Sequence, residues 1–216
     1  MTRTEVINTL IKCNDYKTYL EIGIDNPANN FNKIEIENKI GVDPYDKNLR
    51  VATHWNDFNK SSFSGQIQFI MTSDDFFKQN EESFDIVFID GLHLDYQVKK
   101  DIENSLKFLN EGGVIVLHDC LPEKYEGQLE KDIGYGWWGT VWKTFALFRI
   151  TRPDLKMYTI DTDCGLGIIS KGSQEVFDLN NNEGIDWNLF QEKRNSLMNV
   201  ITIEEFKDKV ETIKSH

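Results

Sequence analysis

Apolar runs that stop at a carboxylate mark the first half of the chain: YLEIGIDNPANNF at 19–31, IGVDP at 40–44 and FDIVFIDGLH at 84–93. Continuous rather than alternating apolar residues predict strands buried on both faces, as in parallel sheets. Strands are expected at 17–22, 37–42, 67–71, 84–90 and 112–118. Helical spacing predicts helices over 4–13, over SDDFFKQN at 73–80 with a serine cap, and over YQVKKDIENSLKFLN at 96–110, stopped by Gly112-Gly113. This alternation predicts an α/β domain with a mostly parallel sheet and helices on both faces.

Beyond residue 120 the pattern changes. LPEKYEGQLEKDIGYGWWG at 121–139 is polar, then glycine-bearing and aromatic, and reads as a long lid-like loop at the carboxyl edge of the sheet. A helix is expected over 140–150, ending before Arg152-Pro153. Two closing strands near 155–161 and 164–170 have only Asp161 to Asp163 between them, which predicts a tight antiparallel hairpin. The tail, 171–216, holds polar Asn180–Asn182 and then helix candidates at 187–198 and 203–213. Its role is open between dimerisation and closure over a site.

Size and charge narrow the classes. A chain of 216 residues with 39% hydrophobic content and 4 prolines fits one ordered domain, 1–216, with its core at about 16–170. No apolar stretch approaches the ~20 residues of a membrane span. The polar opening, MTRTEVINTLIKCNDYK, does not read as a signal peptide, so a cytoplasmic setting is expected. A net charge of -12, from 24 Lys+Arg against 36 Asp+Glu, argues against a nucleic-acid partner and for a small-molecule one. Cys13, Cys120 and Cys164 have no metal or redox spacing.

The expected strand ends carry the chemistry. A dinucleotide site would place G-x-G-x-x-G after the first strand, so that backbone amides reach a pyrophosphate. The turn here, EIGIDNPANN, has the single glycine Gly23. Asp43 nevertheless lies 20 residues after Gly23, the spacing suited to gripping ribose hydroxyls. Ser73 and Asp74, after the third strand, are placed to reach an adenine edge. Ribose and adenine contacts without a phosphate cradle suggest a nucleoside with a non-phosphate tail, which S-adenosylmethionine satisfies. A nicotinamide oxidoreductase would need the missing glycines.

Taken in order, YLEIG, IGVDP, MTSDDFF, FDIVFIDGLH, GGVIVLHD and DTDCGLGII resemble the class I S-adenosylmethionine-dependent methyltransferases, in the branch found among surface-glycan and antibiotic-sugar genes. The resemblance spans about 16–170. It implies a Rossmann-like fold with a seven-stranded sheet ending in an antiparallel hairpin. It also implies that Glu21 and Gly23 line the methionine side, Asp43 the ribose, and Asp74 or Ser73 the adenine. The second glycine usual in the first loop is replaced within DNPANN. Taken singly, each acid is an ordinary cap or turn residue; as a set at successive strand ends they read as a site.

Asp90-Gly91-Leu92-His93 and His118-Asp119 follow adjacent expected strands, and the chain has only 4 histidines. His54 and His216 have no comparable setting. Methyl transfer to a hydroxyl requires an aligned acceptor and removal of its proton, which a histidine can accept. Sugar O-methyltransferases resembling this chain use Asp-x-x-His after strand four and an acidic pair after strand five. The resemblance therefore implies His93 as general base, with Asp90 and Asp119 as acceptor binders or metal ligands. His118 stands where some relatives have a carboxylate, which leaves Mg²⁺, Mn²⁺ and no metal all open.

Trp137, Trp138 and Lys143 are candidates for the acceptor side, through ring stacking and neutralisation of a phosphate on an activated sugar. Trp142 reads as a core residue. The leading expectation is an O-methyltransferase acting on a sugar hydroxyl, with a nucleotide-linked sugar or polysaccharide precursor as substrate. A non-sugar acceptor and a non-catalytic S-adenosylmethionine-binding subunit are the alternatives. A homodimer is compatible with the sequence.

Overall fold

The computed structural model describes residues 1–44, 51–52, 66–134, 136–179 and 184–214. His54, His216 and Asn180–Asn182 lie outside these residues. Among the described residues nine strands form one sheet: β1 (Thr18–Ile22), β2 (Asn38–Asp43), β3 (Val51–Ala52), β4 (Gln66–Ile70), β5 (Phe84–Ile89), β6 (Leu109–Leu117), β7 (Leu155–Ile160), β8 (Leu166–Lys171) and β9 (Val200–Ile201). Their order is β3-β4-β2-β1-β5-β6-β8-β7-β9. All pairs from β3 to β6 are parallel. The β7–β8 hairpin returns antiparallel against β6. The seven expected strands are present, and the two-residue β3 and β9 extend the sheet at its edges.

Strand pleating sends alternate residues to two cores. On one face Tyr19, Ile86, Phe88, Val114 and Val116 pack with Val6, Ile7 and Leu10 of α1 (Arg3–Asn14) and Phe206 and Val210 of α6 (Ile203–Lys214). On the other, Leu20, Ile22, Val87, Ile89 and Leu117 meet α2 (Ser73–Gln79), α3 (Asp95–Lys107), α4 (Val141–Thr151) and α5 (Trp187–Leu197). Trp142 is wholly buried, with Phe190 of α5 at 4.7 Å between ring centroids. The tail from 187 thus contributes a strand and packs into both cores.

Three boundaries differ from the sequence reading. The cap of α2 is Thr72, whose hydroxyl accepts from the Asp75 amide at 3.1 Å; Ser73 is the first helical residue, and its side chain serves elsewhere. Helix α3 ends at Lys107 rather than 110, because Leu109 already pairs with Phe84 as the first residue of β6. Gly112-Gly113 therefore lies inside that strand, at a register shift, and does not stop the helix. The hairpin turn holds Asp161 to Gly165, with Asp163, Cys164 and Gly165 all at positive φ.

The registers set Ile22, Ile89 and Leu117 abreast, so that Gly23, Asp90 and His118 follow side by side. Their amides continue the ladder by one step: Gly23 donates to Val42, Asp90 to Ile22 and His118 to Ile89. At Gly23 (φ 85°) an added Cβ would lie 2.2 Å from the Asp90 carbonyl oxygen. Only glycine permits that approach.

Glu21 shares the α1 face with Tyr19, whose hydroxyl donates to its carboxyl; Asn30 from the 25–30 loop donates to the same oxygen at 3.0 Å. Burial pushes the Glu21 carboxyl up to about 8, opposed by the hydrogen bonds from Tyr19 and Asn30. A folded-state value above the ordinary 4.5 gives stability that is full below that value and lost as pH rises through about 8. Glu21→Gln, which mimics the protonated form, should therefore gain in melting temperature relative to wild type as pH rises from 5 to 9. An unchanged gap in thermal melts across that range would contradict a buried, protonated Glu21.

Candidate active site

Gly23, Asp90 and His118 stand at one edge of the sheet, and a cavity of about 620 Å³ opens beside them. It is lined by Gly23, Asp43, Ser73, Asp74, Asp90, Gly91, Gln97 and Asp101, with Leu92 and Asp132 among its other walls. Asp43 Oδ2 accepts from the Ile24 and Asp25 amides at 2.8 and 3.0 Å, tying the end of β2 to the turn after β1. Asp74 accepts from Gln97 at 3.0 Å and from Lys100 at 2.9 Å, which hold it below the usual carboxylate range. Of the residues expected around a nucleoside, Gly23, Asp43, Ser73 and Asp74 line this cavity, and Asp90 joins them there. Glu21 does not; it faces α1 and anchors the 25–30 loop through Asn30.

On the far side of Asp90 lies a charged cluster. His93 Nε2 is 3.2 Å from Asp90 Oδ1, and His93 Nδ1 is 3.3 Å from Asp119 Oδ2 without hydrogen-bond alignment. That buried Nδ1 has no hydrogen-bond partner among the described residues. With Nε2–H given to Asp90, the lone pair falls on Nδ1. Burial lowers the His93 pKa, but the Asp90 hydrogen bond and the charges of Asp119 and Asp90 outweigh it and raise the ring above its ordinary value. Asp119 reaches its position through a left-handed backbone, φ 60°, at the end of β6. An aspartate held there is uncommon away from turns and sites.

The ring of His93 is fixed on its other side as well. Trp137 stacks on it, centroids 5.1 Å apart and planes at 26°, while the Trp137 indole donates to the Leu129 carbonyl at 2.7 Å. Gly139 closes the turn so tightly on the His93 carbonyl that an added Cβ would lie 2.0 Å away. The next residue, Thr140, donates its amide to that carbonyl and accepts the first amide of α3, from Asp95, at 2.7 Å. The end of the 121–139 segment is therefore bound to His93. Trp138 is buried over Gly127, and Lys143 is half-buried on the first turn of α4.

Two residues not marked out in the sequence complete the cluster. Arg3 Nη1 is 3.4 Å from Asp90 Oδ2 and 2.9 Å from His118 Nε2. Asp163 of the hairpin turn accepts from the Arg3 amide and lies 3.5 Å from His118 Nε2. Burial disfavours a charged His118, while Asp90, Asp119 and Asp163 favour it and draw its pKa well above the ordinary value. A second cation beside Arg3 would be repelled, however, and the Nε2 contact requires a lone pair. The contact fits a His118 whose Nε2 accepts from Arg3, while its Nδ1 lies 3.2 Å from Asp119 and 3.3 Å from Asp90 without hydrogen-bond alignment. Asp90, although half-buried, is held far below the usual carboxylate range by His118 and His93, which outweigh its desolvation. Nothing in the local sequence pattern announces Arg3 or Asp163, because both act across more than a hundred or several tens of positions.

The donor set also has metal-binding geometry. One ligand atom each from Asp90, His93 and Asp119 lie within 4.8 Å of one another, as do atoms of His118, Asp119 and Cys164. No helix among the described residues is long and apolar enough to cross a membrane.

Comparison with known proteins agrees with this architecture. Residues 28–120 match the family model of a methyltransferase domain. An O-methyltransferase from Bacillus cereus in complex with S-adenosylhomocysteine is 14% identical with a TM-score of 0.54, covering 79% of this chain and 82% of its own. The O-methyltransferase TomG from Streptomyces achromogenes, involved in tomaymycin synthesis and bound to S-adenosylmethionine, is 12% identical with a TM-score of 0.53, over 78% and 79% of the two chains. The S-adenosylhomocysteine-bound methyltransferase PaMTH1 from Podospora anserina is 14% identical with a TM-score of 0.53, over 80% of each. No curated protein matches the chain. With its parallel sheet and terminal antiparallel hairpin, the chain shares the fold of these solved methyltransferases, and its segment 28–120 is similar to a methyltransferase domain.

Proposed function

We propose that the protein is an S-adenosylmethionine-dependent O-methyltransferase whose acceptor is a sugar hydroxyl. The observation that carries the reaction type is His93: a ring fixed by Asp90 and Trp137, with a buried, unpartnered Nδ1, next to a cavity whose wall includes the same Asp90. Such a nitrogen is suited to receive the proton that a hydroxyl must release. The absence of a glycine-rich phosphate cradle beside Asp43, Ser73 and Asp74 favours S-adenosylmethionine over a dinucleotide. When bound, S-adenosylmethionine supplies an electrophilic methyl group. The solved neighbours that hold it or its product support this choice of cofactor.

Each part of the chain then has a task. Gly23 leaves room for the cofactor's tail, Asp43 faces the ribose, and Ser73 and Asp74 face the base. Glu21 supports the loop above without touching the cavity. His93 Nδ1 takes the acceptor proton, and Asp90 and Asp119 stabilise the resulting imidazolium from its two ends. His118 and Arg3 fix Asp90. Trp137, with Trp138 and Lys143 behind it, forms the acceptor side; an indole face beside the base suits a sugar ring. Asp90 and Asp119 are also the residues that would hold Mg²⁺ or Mn²⁺, leaving the His93 lone pair free to act as the base. There the ion would lower the pKa of the acceptor hydroxyl.

His93→Ala should reduce turnover by roughly 10²–10⁴-fold while leaving affinity for S-adenosylhomocysteine nearly unchanged. Wild-type turnover in that variant would remove the base. In the wild type, turnover should rise with pH through a value above the ordinary histidine pKa, because the base acts when deprotonated. Exhaustive EDTA treatment, measured with and without added Mg²⁺ or Mn²⁺, addresses the ion separately. Loss and recovery are expected, whereas full activity in chelator would eliminate it. The acceptor class is tested by incubating nucleotide-sugar pools with S-adenosylmethionine and looking for the ~14-dalton gain of one CH₂; gain only on phenols or amines would overturn the sugar assignment.

A further inference from the structure

Helix α3 turns a polar residue into its own apolar stripe. Val98, Ile102 and Leu106 pack on the core, yet Asp101 and Ser105 occupy the same buried face. Asp101 also forms part of the cavity wall. Its Oδ1 accepts from the Ser73 hydroxyl at 2.6 Å and lies 3.1 Å from Gln97 Nε2. Its Oδ2 is buried with no hydrogen-bond partner among the described residues. A buried carboxyl oxygen in that state needs a proton of its own or a donor from elsewhere.

The neighbouring amide cannot supply the shortfall. Gln97 Nε2 lies within hydrogen-bond distance of Ser73 Oγ at 3.2 Å, Asp74 Oδ1 at 3.0 Å and Asp101 Oδ1 at 3.1 Å. An amide nitrogen has two hydrogens for these three acceptors. The two carboxyls are also unlike. Asp74 is kept ionised by Gln97 and Lys100, whereas burial pushes Asp101 up to about 6, with the Asp74 charge adding to it and Ser73, Gln97 and Lys100 opposing. Paired acids with separated proton affinities present one acceptor and one donor. The Watson–Crick edge of adenine presents the complement, an N6 donor beside an N1 acceptor.

We propose that Asp101, in its protonated form, is a cofactor-binding residue that donates to N1 of the adenine while Asp74 accepts from N6. This rests on the S-adenosylmethionine reading and sharpens it to base recognition by a carboxylic acid–carboxylate pair. The charged groups acting on Asp101 are Asp74 of α2 and Lys100 of α3, and the cavity's remaining acids are Asp25, Asp43, Asp90 and Asp132. Binding then draws on the protonated form, so affinity weakens as pH rises above about 6.

The test is calorimetric titration of the full chain with S-adenosylhomocysteine between pH 5.5 and 8.5. Asp101→Asn, which carries a permanent donor in the same volume, should bind with near-wild-type affinity at low pH and lose much of the wild-type pH dependence. Asp101→Ala should bind about tenfold more weakly at pH 5.5. The analogue with hypoxanthine in place of adenine, whose edge is reversed, should be rejected by the wild type and tolerated better by Asp101→Ala. Wild-type affinity in Asp101→Ala, or a wild-type pH slope in Asp101→Asn, would overturn the assignment and leave Oδ2 to water, while the methyltransferase reading stands. Failure of the wild type to bind S-adenosylhomocysteine at any pH would instead overturn that reading, and this inference with it.

Discussion

The close approach of Gly23 to Asp90 is the constraint on which the site depends. Two parallel strands end side by side, and the turn after one passes within a methyl group's space of the other's backbone, where a Cβ would meet the Asp90 oxygen at 2.2 Å. The approach places the turn and Asp90 together on the cavity wall. It also sets Asp90 where one carboxylate serves both sides, lining the cavity and holding His93 and His118. The cavity and the histidine–carboxylate cluster, the donor and acceptor sides of the proposed function, are thereby joined through a single residue at a strand end. That is the arrangement expected where alignment contributes most of the catalysis.

Charge balance around Asp90 explains much of the remaining architecture. Asp90, Asp119 and Asp163 gather within reach of His118, and repulsion among them has to be offset. Arg3 supplies a fixed positive charge from the first turn of α1, and the hairpin turn accepts its amide. The first helix and the last hairpin, which meet the sheet from opposite ends of the chain, are thus both tied to the charged cluster. A cluster with surplus carboxylate and a histidine nitrogen left open is suited to transient positive charge, whether a proton, an imidazolium or a divalent ion.

Much of the fold was legible because its strands are buried on both faces. FDIVFI and TYLEI are mostly apolar and buried at all but one position each, and acids at the ends of such runs point to a ligand edge. Boundaries were less legible where one signal served two elements. Phe108-Leu109 continues the apolar stripe of α3 but is the entry to β6, so the helix ran too far toward Gly112 in the sequence reading. Ser73 looked like a cap because Thr72 offers the same chemistry one residue earlier. In the site, Asp43, Asp74, Asp90, His93, His118 and Asp119 were visible as residues at strand ends. Arg3 and Asp163 were not, since their roles arise from long-range packing. Asp101 had a signal that went unread: a carboxylate on the buried stripe of a helix, where apolar residues belong.

The proposed function requires the cavity beside Gly23 and Asp43 to hold an adenosyl sulfur compound and not a dinucleotide. Calorimetric titration of the full chain with S-adenosylhomocysteine, and separately with NAD, distinguishes the two. Saturable one-to-one binding of S-adenosylhomocysteine is expected, with no measurable heat of binding for NAD. Tight binding of NAD with none of S-adenosylhomocysteine would contradict that function.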